Sequence, residues 1–188
     1  GWHMYPKLDG IRVYYDPVKD NFFGQNCIQL PVPQSIRDAL KPSMPDFAIE
    51  GQFISPAGFN QCWNAIQSGD ADLWKGITFC VEDAPTLLNQ KYEERMEAIL
   101  NHMKAHPNSL LSTPAHQKCT GLSHLDSVIE KLDKEGIHGV ILRKPQSYYF
   151  EQFSWLKKGL LDQDEALVME RVPTGLVCKL TNGKIFLL

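Results

Sequence analysis

The chain has 188 residues, of which 43% are hydrophobic and 22% are charged, a balance typical of a folded globular domain. Its formal net charge is −3, so the composition lacks the strong positive charge that many nucleic-acid-binding domains carry. The five cysteines are scattered and form no CxxC motif, which argues against a zinc ribbon and against a disulfide framework. We therefore expect a protein of a reducing intracellular compartment: nucleus, mitochondrion or cytoplasm.

Membrane and export signals are missing from the sequence given. No run of about 18 apolar residues occurs, so we expect no membrane-spanning helix. The first residues, Gly1-Trp2-His3-Met4, do not combine a basic region with an apolar stretch as a signal peptide does. Because a structured pattern begins almost at once, we expect a monomeric domain of a larger protein.

Strands interrupted by helices are predicted along the chain. The alternation of Ile11, Val13 and Tyr15 predicts a strand after a turn at Asp9-Gly10. The next predicted elements, in chain order, are a strand at 21–23, a helix at 33–40, strands at 47–54 and 77–81, helices at 91–106 and from Ser123 to Gly136, and a buried strand at 140–142.

The C-terminal part is predicted to contain only strands. From Glu165 onward three short strand-like pieces follow, joined at 173–175 and at Asn182-Gly183. Asn-Gly between apolar runs is a strong hairpin signal. Antiparallel hairpins combined with separate helices indicate an α+β fold.

The pattern Lys7-Leu8-Asp9-Gly10-Ile11-Arg12 is the sharpest local motif in the chain. A lysine that acts as a nucleophile must be held on a rigid element and be desolvated or flanked by cations to lose its proton. A strand after an Asp-Gly turn would hold Lys7 and Arg12 in a fixed relation. Taken alone, the motif is also compatible with a surface lysine before a hairpin.

Further segments extend this pattern in a fixed order. They are FAIEGQF at 47–53, FCVEDAP at 79–85 followed by YEER at 92–95, GIHGVILRKP at 136–145, SWLKK at 154–158 and DEA at 164–166. Together with the KxDGxR motif they resemble the ATP-dependent DNA ligases of the covalent nucleotidyltransferase superfamily, and most of all the small minimal ligases. Several ordered partial matches are far more specific than any single one.

This resemblance implies an α+β fold. It predicts an ATP-grasp-like nucleotidyltransferase (adenylation) domain of antiparallel sheets flanked by helices at residues 1–160. Residues 161–188 would form a truncated, partial OB-like β segment, because too few residues remain for a complete five-stranded OB barrel.

The resemblance also implies roles for particular residues. Lys7 would attack ATP, form a lysyl-AMP and pass AMP to the 5′-phosphate of nicked DNA before the strand is sealed. Asp9, Gly10 and Arg12 would position the nucleotide, and Lys157 would act near the phosphates as a second catalytic residue. ATP and Mg²⁺ would then be the cofactors of an active enzyme.

Several residues depart from the family pattern. Gln52 stands where a glutamate contacts ribose, and Glu82 stands where an aromatic ring stacks on adenine. His138 replaces a glutamate that supports the metal, although Mg²⁺ prefers oxygen ligands, and Gly159 replaces the second lysine of the last motif. Phe23-Gly24 takes the place of a Ser-Arg pair. We therefore assign Gln52 and Glu82 to the nucleotide site and assign no metal ligand.

Two functional hypotheses follow from these departures. The first, which the replacements favour, is a catalytically impaired ligase-like module that binds nucleic acid or a protein partner and needs no cofactor. The second is a divergent but active ATP-dependent DNA ligase of DNA repair or replication. RNA-ligase or capping chemistry is a third hypothesis, which the KxDGxR and DAP segments disfavour.

Some surface features add weaker expectations. The pairs Arg143-Lys144 and Lys157-Lys158 indicate either a local nucleic-acid patch or an ordinary solvated surface. The aromatic run at 148–150 is a candidate contact for nucleic acid or a partner. Trp63 and Trp74 flank a loop that is able to stack on bases, although packing in the core is favoured for both.

Overall fold

A computed structural model describes residues 1–159, 166–172, 175–180, 183 and 185–187. Within these residues the chain forms three sheets and four α-helices. The helices are α1 (Gln34–Leu40), α2 (Phe59–Ser68), α3 (Tyr92–Ala105) and α4 (Leu122–Lys134), with short 3-10 helices at Lys41–Ser43 and Ala71–Trp74. The strands are β1 (His3–Pro6), β2 (Ile11–Asp16), β3 (Asn21–Phe23), β4 (Ile49–Ile54), β5 (Thr78–Asp83), β6 (Leu111–Ser112), β7 (Gln117–Lys118), β8 (Val140–Arg143), β9 (Trp155–Lys158), β10 (Ala166–Val172), β11 (Gly175–Leu180) and β12 (Ile185–Leu187).

The larger sheet has five strands in the order β3-β2-β4-β5-β6, all antiparallel except for the last pair. Its apolar face carries a core of aromatic and branched side chains, to which α2 and α3 contribute. The Phe53 ring meets the buried Trp74 edge-on, with 4.9 Å between the ring centroids. Burying one such side chain stabilises a fold by about 1.5–3 kcal/mol.

The smaller sheet has four antiparallel strands in the order β7-β1-β8-β9. Helix α4 packs on it through Leu125, Ile129 and Leu132, which share one helix face. Met4 and Val140 complete this second core from β1 and β8. The site described below lies where this sheet faces the larger one.

The segment Lys7–Gly10 carries the chain from β1 of the smaller sheet to β2 of the larger one. Residue 10 must be glycine because its backbone lies very close to the β4 backbone. A Cβ atom at this position would lie 2.4 Å from the Phe53 carbonyl oxygen. The predicted Asp9-Gly10 turn therefore connects two different sheets.

A buried ion pair also links the two sheets. Asp83 on β5 and Arg95 on α3 are 0% and 1% exposed, and the guanidinium donates to both carboxylate oxygens at 2.7 and 3.0 Å. Arg95 also donates to the Ser147 carbonyl, and Arg143 on β8 lies 3.7 Å from Asp83. Because a buried charge is tolerated only when it is paired, these groups hold β5, α3 and β8 in one arrangement.

The three predicted C-terminal strands are confirmed as β10, β11 and β12, an antiparallel sheet with a register shift between Val168 and Glu170. Cys178 is buried within it, whereas Leu167 and Met169 are exposed. The predicted joining turns fall partly outside the described residues, as do Asp164 and Glu165 of the DEA segment. The proposed boundary between residues 160 and 161 also falls there and stays a prediction.

Most predicted elements agree with the observed ones within two or three residues. The strands β1, β6, β7 and β9 and the helix α2 were not predicted. Helix α2 buries only Cys62, Ala65 and Ile66, which is too short an apolar stripe to stand out among polar residues. In the part of the chain that the structure describes, no helix has the length and apolar character to cross a membrane.

Candidate active site

A cleft of about 540 Å³ lies between the larger, five-stranded sheet and the smaller, four-stranded sheet. This volume is within the usual size range of small-molecule sites. Five of the predicted site residues line it together: Lys7, Arg12, Gln52, Glu82 and Lys157. Segments far apart in sequence thus meet at one place. Of these, Lys7 is exposed and its backbone N–H donates to the Gly139 carbonyl oxygen at 2.9 Å.

The wall formed by the smaller sheet is cationic and aromatic. Tyr5 pairs with Ile141, Ile141 pairs with Lys157, and Arg143 pairs with Trp155. Directly opposed residues of an antiparallel sheet share a face, and all five of these side chains line the cleft. We call these five residues the β8–β9 wall.

Arg143 is the buried cation of this wall. Its Nε donates to the Tyr5 hydroxyl at 3.4 Å, and its guanidinium lies 5.3 Å from the centre of the Tyr92 ring. Burial raises the pKa of Tyr5 to about 12, so the phenol stays neutral and accepts this bond. Tyr5 and Asp83 therefore hold the Arg143 guanidinium in place where it lines the cleft.

The wall formed by the larger sheet has a different chemistry. It consists of Arg12, Glu50, Gln52 and Glu82 from β2, β4 and β5, and we call these four residues the β4–β5 wall. Arg12 lies 3.5 Å from one oxygen of Glu82 and 3.5 Å from one oxygen of Glu50. The cation of this wall is therefore shared between two carboxylates.

Gln52 and Glu82 are joined at the base of this wall. The Gln52 amide nitrogen donates to Glu82 at 3.0 Å, and its oxygen accepts from the Gly10 backbone N–H at 3.1 Å. Glu82 is only 2% exposed, and this burial raises its pKa, although Arg12 and Gln52 oppose the shift. Ionised Glu82 thus depends on these two neighbours.

Glu50 accepts a second hydrogen bond from the Tyr149 hydroxyl at 2.9 Å. Burial, and after it the charge of Glu50, raises the pKa of Tyr149. The phenol therefore remains a donor, and the loop between β8 and β9 is tied to the larger sheet across the cleft.

Two predicted site residues lie outside this cleft. Asp9 lines an adjoining depression together with His138, and Gly10 contributes only its backbone N–H. His138 is exposed and contacts Asp133 at 3.1 Å, and it does not line the cleft. Within the described residues, no group of three or more His, Cys, Asp or Glu side chains is arranged to hold a metal ion.

The other departures from the family pattern lie at the edge of the site. Gly159 follows β9, and a Cβ atom there would meet no atom closer than 3.6 Å, so a side chain fits at this position. Phe23 and Gly24 line a neighbouring depression. The Phe23 ring has the Lys19 amine 4.9 Å from its centre.

Sequence reasoning did not assign Tyr5, Glu50, Arg143, Tyr149 or Trp155 to the site. For Trp155 a signal existed, because residues two apart on a strand share a face and Lys157 had already been assigned. Arg143 lies on the neighbouring strand and joins the site through its pairing with Trp155. Tyr5 and Tyr149 carried no such signal, since their strand and loop are brought to the cleft by tertiary packing.

The weaker surface expectations have mixed outcomes. Trp74 is buried and donates its indole N–H to the Ala65 carbonyl, as predicted. Trp63 is exposed instead, with its ring stacked on Phe59, because it lies on the outer face of α2. The pair Arg143-Lys144 is not a free basic patch, since Arg143 is buried and Lys144 pairs with Glu151.

Comparisons with known proteins agree with this architecture. No family model matches the chain. A DNA ligase of Haemophilus influenzae is 26% identical over 150 residues, which cover 79% of this chain and 53% of that protein. The chain thus spans about half the length of this curated relative.

Solved structures show the same fold. A structure from a study of Lig E DNA ligases aligns with a TM-score of 0.83 and 19% identity, over 98% of this chain and 75% of that one. A Chlorella virus DNA ligase-adenylate aligns with a TM-score of 0.71 and 18% identity, over 98% and 74% of the two chains. The fold class predicted from the sequence is confirmed, and the neighbours of this chain in both sequence and structure point to the ATP-dependent DNA ligases.

Proposed function

We propose that this chain is a ligase-type nucleotidyltransferase domain whose cleft binds a nucleotide or a nucleic-acid end without completing ligation. The proposal assigns the cleft to residues 1–160 and a partial OB-like segment to residues 161–188. Its natural partner would be nicked DNA or a protein that handles nicked DNA. The observation that carries it is the pairing of Arg12 with two carboxylates inside the cleft.

The dimensions and cations of the cleft suit a nucleotide. A volume of about 540 Å³ is large enough for a nucleoside phosphate. Lys7, Arg143 and Lys157 line it and would bind phosphate oxygens through charge-assisted hydrogen bonds. In the alternative of an active enzyme, attack of the Lys7 amine on the α-phosphate of ATP would form the lysyl-AMP bond, break the bond to the β-phosphate and release pyrophosphate.

The β4–β5 wall opposes catalysis at the same place. Arg12 would have to leave Glu50 and Glu82 in order to contact a phosphate, and both carboxylates would repel that phosphate. Both carboxylates face the Arg12 cation, and within the described residues no third acidic, His or Cys side chain joins them in a group able to hold a metal ion. This donor set does not fit a magnesium ion held by protein oxygens, so we derive no metal-assisted step.

A specific observation also favours the second candidate, a divergent active ligase. Lys7 and Lys157 line one cleft, which is the arrangement that lysyl-AMP formation would need. Gln52 also lies 3.0 Å from the Glu82 carboxylate, so an acidic group remains beside the position of the replaced glutamate.

Incubation with α-labelled ATP and Mg²⁺ or Mn²⁺ separates the two candidates. We expect no label on the wild-type chain and no sealing of nicked DNA or nicked RNA, while nicked duplex still binds in a mobility-shift assay. Covalent label that disappears in Lys7→Ala would refute the impaired-site proposal and support the divergent ligase.

A restoration experiment tests the cause. The quadruple variant Gln52→Glu, Glu82→Phe, His138→Glu and Gly159→Lys replaces the four departures with the residues of the family pattern. We expect ATP-derived label to appear in this variant and to vanish when Lys7→Ala is added. The same variant without Glu82→Phe is the matched control, because it keeps the carboxylate that engages Arg12.

A further inference from the structure

Three aromatic side chains line the cleft, and they differ in what their rings offer a ligand. Tyr5 is 1% exposed and its hydroxyl is held by Arg143. Tyr149 is held by its bond to Glu50. Trp155 is 46% exposed and has the largest ring of the three, so it alone presents a broad accessible aromatic surface in the described cleft.

The surroundings of Trp155 indicate what would cover that surface. The Lys157 amine lies over the ring at 5.7 Å from its centre, and the Arg143 guanidinium lies over it at 6.0 Å. A half-exposed indole that has two cations this close to its ring suits a ligand that combines a planar ring with an anionic group. A nucleoside phosphate has this chemistry.

The opposite wall has no aromatic surface for such a ligand. Glu82 and Gln52 lie at its base and are bonded to each other, and a carboxylate provides no π-face. A base that enters the cleft therefore gains stacking energy only on the β8–β9 wall.

Exposure alone does not explain Trp155, as a second indole shows. Trp63 is 48% exposed, but its ring lies nearly parallel to that of Phe59, with 6.2 Å between centroids and 13° between planes. Its environment on α2 is satisfied locally and lies outside the cleft. Trp63 is therefore a matched control for Trp155.

We propose that Trp155 is the stacking platform for the base of a nucleotide bound in this cleft. The proposal rests on the proposed function in one respect, that the cleft holds a nucleotide. It does not depend on whether Lys7 becomes adenylated. Lys157 and Arg143 would bind the phosphate beside the stacked base.

Two ligands isolate the contribution of the base. AMP and ribose 5-phosphate share the sugar and the phosphate, and AMP has no pyrophosphate leaving group, so it cannot charge Lys7. We expect isothermal titration to show that Trp155→Leu weakens AMP binding roughly tenfold, as loss of a base–aromatic stack does. The affinity for ribose 5-phosphate should stay unchanged. Trp155→Phe should restore most of the AMP affinity, and Trp63→Leu should change the affinity for neither ligand.

The outcomes distinguish this inference from the proposed function. Equal AMP affinity in wild type and Trp155→Leu, with both proteins folded by thermal unfolding, would overturn the stacking role and leave the impaired-site proposal intact. Failure of the wild type to bind AMP would also overturn it. Covalent adenylation of the wild type would refute the impaired site while leaving the Trp155 comparison valid.

Discussion

The two walls of the cleft differ in how completely their polar groups are satisfied within the protein. On the β4–β5 wall, Arg12, Glu50, Gln52 and Glu82 bind one another or nearby backbone and phenol groups. On the β8–β9 wall, Lys157 and Trp155 are exposed to the cleft. The polar groups of the β4–β5 wall thus contact one another, whereas the β8–β9 wall retains exposed groups that a ligand can engage.

This contrast is what the proposed function requires, namely a scaffold that persists while its site is impaired. A carboxylate placed in a buried position requires partners, and the partners available to Glu82 are Gln52 and Arg12. If the cleft binds a phosphate as proposed, the contact of Arg12 with Glu82 leaves one cation fewer for that phosphate. The neighbouring sheet is unaffected, because its strand pairing and core do not involve Glu82.

The largest expected effect concerns the buried ion pair of Asp83 and Arg95, which links the two sheets. Asp83→Ala leaves the buried Arg95 guanidinium without its carboxylate, which typically costs about 3–5 kcal/mol. We expect urea denaturation to show a loss of this size. Asp72→Ala, which breaks an exposed pair with Lys75, should be nearly neutral. A small loss in the free energy of unfolding for Asp83→Ala would mean that the two sheets are held together by apolar packing alone.

The next effect tests the open wall through two adjacent lysines. Lys157 lines the cleft and Lys158 does not, because neighbouring residues of a strand face opposite sides. Lys157→Gln should weaken AMP binding at least about tenfold through loss of a charged hydrogen bond to phosphate, whereas Lys158→Gln should not. Equal effects in the titration would indicate a diffuse electrostatic contribution and no defined phosphate contact.

A third prediction concerns the pH dependence that Glu82 gives to the β4–β5 wall. Burial raises the pKa of Glu82 in the folded state above its ordinary value of 4.5. At any pH between 4.5 and the folded-state pKa, the folded protein therefore binds more protons than the unfolded chain. The stabilising contribution of this protonation is complete below pH 4.5 and is lost as the pH rises through the folded pKa. Glu82→Gln removes this dependence.

The free energy of unfolding of Glu82→Gln, relative to wild type, should therefore increase with pH across that window. Denaturation at a series of pH values measures it. Glu94→Gln serves as the control because Glu94 is exposed. A difference that stays flat with pH in Glu82→Gln would contradict the raised pKa.

The smallest expected effect tests the bond between the walls at Glu50. Tyr149→Phe removes one hydrogen bond to that carboxylate and should cost about 1 kcal/mol of stability. Tyr148→Phe alters the neighbouring phenol, which is exposed and makes no hydroxyl hydrogen bond within the described residues, so we expect no change. Thermal or urea unfolding compares the two variants directly.

The fold class and most strands and helices could be predicted from local periodicity, which a linear chain displays. The grouping of Lys7, Arg12, Gln52, Glu82 and Lys157 came instead from the resemblance of several ordered segments to the ATP-dependent DNA ligases. The same resemblance indicated which of these positions depart from the family pattern.

The contacts that those departures make are set by the tertiary structure. The pairing of Glu82 with Arg12 and Gln52 joins three strands, and the approach of Tyr149 to Glu50 spans 99 positions of sequence. The contact of His138 with Asp133 likewise depends on the path of the chain between α4 and β8. Contacts of this kind are set by sheet register and packing, so no local pattern of residues contains them.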